Sequence, residues 1–149
     1  MRESVLGNLS LLSWTLQIWT DHRRGVHQNG HPAAIAYCME HHREWWGGWD
    51  RARESGEDAS IVKRLAHIHH DAAIKAQLDR CDPPEIKPLF DSLMEKGNNE
   101  FESIHTLALA LVEENEYASQ HDVAFDRARF IERARRFVQE AESRQLVRL

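Results

Sequence analysis

The sequence predicts an all-α fold: one domain over residues 1–149, built as an antiparallel bundle of about six helices. Three observations carry this prediction. Apolar residues recur at spacings of three and four along most of the chain, only 7 Gly and 4 Pro interrupt it, and no stretch shows the convincing alternation of a strand. A chain of this length buries roughly 68–70% of its unfolded surface, enough for a core without disulfide or metal staples.

The first helix is expected over about 3–23, with Val5, Leu9, Leu12, Leu16 and Trp19 on one stripe, ending near Gly25. Residues 25–31 read as a loop, with Asn29-Gly30 as its turn signal. Pro32 suits the first turn of a second helix that should reach about Trp46, where Gly47-Gly48 breaks or kinks it. Ser55-Gly56 marks the next connection. A third helix, about 59–80, places Ile61, Leu65, Ile68 and Ala72 on one face, and Asp82-Pro83-Pro84 stops the chain beyond it. A fourth, about 84–96, carries Ile86, Leu89, Phe90 and Leu93 and closes on Gly97. Asn98 or Asn99 caps a fifth over about 100–120, and Asp122 a sixth over about 123–145 with Phe130, Ala134, Phe137 and Ala141 as its stripe. Short connections argue for antiparallel neighbours.

Charge and motif content exclude several function classes. With 24 acidic residues against 19 basic, neither nucleic acid nor an anionic membrane is expected as a partner. Residues 122–149 hold seven Arg against five acids, but Glu132/Arg136 and Glu140/Arg144 stand at i,i+4, the mark of a solvated amphipathic helix. The most apolar stretch, 4–19, is broken by Asn8, Ser10, Ser13, Thr15 and Gln17, so it has neither the length of a membrane span nor a signal-peptide layout. Cys38 and Cys81 lack metal-binding spacing and read as reduced thiols of a cytoplasmic protein. The chain has no Gly-rich phosphate loop, no Gly-x-Ser-x-Gly and no Cys/His nucleophile pair, and no reaction is assigned to it.

The unusual count is histidine, 10 in all. Residues four apart in a helix lie about 40° from each other around the axis, so His67 and Asp71 share a direction, continued by Ile74 and Leu78. Glu102 and His105 form Glu-x-x-His on the fifth helix, a spacing that aims both side chains at one point, with Glu113 and Glu116 further along. His41 follows a run of small apolar residues on the second helix. His42, adjacent to it, points about 100° away and is left undecided. A lone Glu-x-x-His does not fit a di-iron pattern, which needs two. A mononuclear centre drawn from His41, His67, Asp71, Glu102 and His105 fits better, for Zn, Fe, Mn or Ni. The same residues also suit structural hydrogen-bonded His–carboxylate pairs. That alternative describes a non-catalytic interaction protein, self-associating through a helix face or the aromatic run Trp45 to Trp49. The same aromatic run also suits the closed end of a core.

In sequence, residues 67–78 (HIHHDAAIKAQL), the Asp-x-Pro turn, the short helix ending in Gly, Glu102-x-x-His105 and Glu113 follow one another in an order that resembles the bacterial domain-of-unknown-function family 1841. Upstream, Ile35 to Trp45 (IAYCMEHHREW) is similar to that family's Ile-x-x-x-x-His-Pro-Glu-Tyr-His segment at His41, and Trp19, His22 and Gly25 to its opening helix. The resemblance covers about residues 12–120. It implies the same helical fold and points to His41, His67, Glu102 and His105, but implies no activity. Asp71 stands where the family has a second His, Trp45 where it has the segment-ending His, and His42 where it has Pro.

Overall fold

In the computed structural model, which describes residues 2–55 and 59–147 and the side chains of 13–51 and 61–142, the chain is all-α. Its helices are α1 (Arg2–Arg23), α2 (Gly30–His41), α3 (Trp46–Ser55), α4 (Ala59–Arg80), α5 (Ile86–Glu95), α6 (Glu100–Gln120) and α7 (Arg127–Val147), with a 3-10 turn at Arg43–Trp45. No strand occurs among the described residues, and no helix among them is long and apolar enough to cross a membrane. The chain divides into two compact units, Met1–Ala72 and Ala73–Leu149, with α4 contributing to both. The expected packing of Val5, Leu9 and Leu12, the connection at Gly56 and the Glu140/Arg144 pair lie outside the described residues.

The first unit is organised around Trp19. It is 1% exposed, its ring meets Trp49 at 5.2 Å and Trp46 at 5.5 Å, and its Nε1–H donates to Asp50 Oδ1 at 2.8 Å. Leu16, Ile35, Cys38, Met39, Ile61, Leu65, Ile68 and Ala72 complete this core, so the expected stripe of α4 is its buried face. Two differences from the sequence reading matter. Gly47-Gly48 lies inside α3, and the break falls earlier, at His42. Met39 O accepts from both the His42 amide and Trp46 Nε1–H, and these bonds turn the chain there. Secondly, α1 and α2 run in the same direction, since Trp14 stacks near His31 while His22 meets Glu40. After Gly25 (φ 76°) the connection doubles back along α1, where Gln28 Nε2 donates to Ile18 O, so α2 starts beside the middle of α1.

In the second unit α5 and α7 run in parallel, with Glu85 paired to Arg127 near their starts and Lys96 to Glu142 near their ends, while α6 returns. Gly97 (φ 96°) closes α5 as expected. Asn99 caps α6 in a full capping box: its side chain accepts from the Glu102 amide at 2.8 Å, and Glu102 Oε2 accepts from the Asn99 amide at 3.1 Å. Asn99→Ala should therefore cost about 1 kcal/mol in chemical denaturation; an unchanged midpoint would contradict this role. Helix α7 starts later than expected. Asp122 instead adopts a left-handed conformation (φ 51°), and Asp126 is the cap, accepting from the Arg129 amide at 2.9 Å. Phe125, just before the cap, packs on Phe130 in a hydrophobic staple (5.8 Å). The buried stripe of α7 is Phe130, Ile131, Ala134 and Val138, with Phe137 and Ala141 only half-buried.

Candidate metal centre

The His41-His42 pair straddles a helix end, and that end separates their fates. His41 is the last residue of α2; it is exposed, its Nδ1–H donates to Tyr37 O at 2.8 Å, and its ring lies 4.3 Å from that of Tyr37. His42 has left helical geometry (φ −102°, ψ 63°) and is buried. The wheel angle between neighbours therefore does not apply to it.

On α4, the i,i+4 pair forms as its spacing predicts, with His67 Nε2 3.1 Å from Asp71 Oδ2. Asp71 is fully buried and His67 is half-buried, while His42 Nε2, His67 Nε2 and both Asp71 oxygens are themselves shielded from solvent. His42 Nε2 approaches the same carboxylate oxygen at 3.8 Å. His42, His67 and Asp71 each offer one donor atom, and all three atoms lie within 4.8 Å of one another. The indole of Trp45 stacks on His42 at 4.0 Å and meets the His67 ring edge-on at 5.6 Å. The other nitrogen of His42, Nδ1, donates to Glu44 Oε1 at 2.9 Å.

Burial opposes a charge on His42, but the nearby carboxylates of Asp71 and Glu44 outweigh that, so its pKa is raised from the ordinary value. Glu44 is lowered in return, chiefly by the His42 hydrogen bond. Two imidazole nitrogens and a carboxylate oxygen suit a first-row divalent ion such as Zn, Fe, Mn or Ni. Bonds of about 2.0–2.2 Å put neighbouring ligand atoms roughly 3–3.5 Å apart; the two separations from Asp71 Oδ2, 3.1 and 3.8 Å, lie close to this, and all three donor atoms fall within 4.8 Å of one another. Three protein donors leave coordination positions open to water or a ligand.

The structure brings together two of the five residues singled out by spacing, His67 and Asp71, and adds His42. Glu102 and His105 belong to the second unit, where the Glu102 carboxylate serves the capping box and His105 stands one turn along α6, half-buried. Glu113, the downstream acid, pairs with Arg133 and Arg136, each at 2.6 Å. The aromatic run divides: Trp49 is in the core, while Trp45 and Trp46 pack against it partly buried. Comparison of the chain with protein-family models, curated proteins and solved structures finds no match.

Proposed function

We propose that the protein binds a single transition-metal ion through His42 Nε2, His67 Nε2 and an Asp71 oxygen. The observation that carries this reading is a fully buried carboxylate approached by two imidazole nitrogens. The ion would be Zn, Fe, Mn or Ni, with the positions that three protein donors leave unfilled available to water or a small ligand. The proposal extends to a cytoplasmic setting, supported by the exposed thiol of Cys81, and to kinship with family 1841, supported by the ordered motifs of 65–120.

Titrating metal-free protein with Co(II) or Zn(II) should show one ion per chain. His67→Gln, at the solvent-facing edge, should weaken binding by at least about 100-fold, more than loss of an outer hydrogen bond. Asp71→Asn should do the same. Absence of binding, or binding unchanged in His67→Gln, would overturn the reading in favour of a non-catalytic interaction protein with structural His–carboxylate pairs. His41, Glu102 and His105 enter by substitution: unchanged affinity in their Ala variants confines the ligands to His42, His67 and Asp71, and a loss adds the residue concerned.

A further inference from the structure

We propose that Glu44 is the positioning residue of this centre: it accepts the Nδ1 proton of His42 and so fixes the tautomer that presents Nε2 to the ion. This rests on the reading of His42, His67 and Asp71 as ligands.

A carboxylate only accepts, so the 2.9 Å contact requires Nδ1 to carry the proton. In the neutral ring the lone pair is then on Nε2, the nitrogen turned toward Asp71 Oδ2. The alternative tautomer carries its proton on Nε2 and cannot ligate there. The local fold enforces this arrangement. Glu44 sits in the 3-10 turn that starts directly after His42, and the Trp45 amide donates back to His42 O at 2.9 Å, closing that turn. The same turn lays the Trp45 indole on the imidazole, with 11° between the planes. Four consecutive residues thus supply the ligand, its hydrogen-bond acceptor and the plate that holds its ring. Glu44 is 61% exposed, so replacing it removes the hydrogen bond without opening a cavity.

The test compares Zn(II) affinity, by competition with a chromophoric chelator, in wild type, Glu44→Gln and Glu44→Ala. Glu44→Ala should weaken binding about 10-fold with stoichiometry intact. Glu44→Gln should recover most of that loss, because its amide oxygen still accepts. Nitrogen NMR of the zinc-loaded wild type should show the His42 proton on Nδ1, and metal-free unfolding should be nearly the same in all three proteins. Equal affinity in wild type and Glu44→Ala would overturn the positioning role while leaving the metal centre standing. A Glu44→Gln variant as weak as Glu44→Ala would overturn it too, showing charge rather than tautomer control. A wild type that binds no ion would overturn both proposals.

Discussion

Replacing Glu114 by Ala will destabilise the protein by about 3 kcal/mol, although this side chain is shut off from solvent. Glu114 is fully buried on α6 and accepts from the Asp126 amide at 2.8 Å, from Arg129 Nε at 3.1 Å and from Arg133 Nε at 3.3 Å. It therefore anchors the cap of α7 and two of that helix's arginines at once. Truncation leaves the Asp126 amide and two guanidinium groups without their shared acceptor. Breaking a buried pair costs about 3–5 kcal/mol, and the lower end applies because both arginines can turn partly toward water. Urea unfolding measures the loss, and a change below about 0.5 kcal/mol, typical of surface substitutions, would contradict the assignment.

The same carboxylate gives the fold an acid limit. Burial raises its pKa, but the hydrogen bonds from Arg129, the Asp126 amide and Arg133 prevail and hold it below the ordinary 4.5. A depressed carboxylate contributes stability that is complete above its unfolded value and is lost as pH falls through the folded one. Stability should decline below about pH 4.5, helped by Glu113, whose pKa Arg136 and Arg133 lower despite some burial. Glu114→Gln, already weaker at neutral pH, should show a shallower decline. An identical slope would place the acid sensitivity elsewhere.

Trp19→Ala is the second large effect, about 3–5 kcal/mol, or a fall in Tm on the order of 10 °C. The ring fills the centre of the first unit between Trp46 and Trp49, and its N–H satisfies Asp50. Ala leaves a cavity that the facing indoles cannot close without losing their own contacts. Trp19→Phe keeps part of the packing and should fall in between. A loss under about 1 kcal/mol for the Ala variant would mean that the aromatic cluster is not the core it forms here.

Much of this was legible in the helical period. Ile61, Leu65, Ile68 and Ala72 are buried because α4 presents one face to a single core, and His67 meets Asp71 for the same geometric reason. Helix ends were less legible because distant groups decide them. Asp122 and Asp126 are both chemically fit to cap α7, and the choice falls to Asp126, whose amide is taken by Glu114 from another helix. Likewise α2 ends where the Trp46 indole and the His42 amide claim Met39 O. That displaced boundary hid His42, since a helix continuing to Trp46 would turn it away from His41's direction without burying it. Among the acids of α6, Glu113 and Glu116 stand off the apolar stripe, whereas Glu114 stands three and seven residues after Leu111 and Leu107, in register with the buried face. An acid on an apolar stripe was the available signal. Arginines of α7 then find partners on α6, where a reading of α7 alone saw only pairs within the helix.

We propose that one ion sits among His42, His67 and Asp71. Anomalous diffraction from crystals of the zinc-loaded protein tests it directly. One strong peak is expected about 2.0–2.2 Å from His42 Nε2, His67 Nε2 and an Asp71 oxygen. A peak held by other side chains, or no peak from protein saturated with zinc, would contradict it.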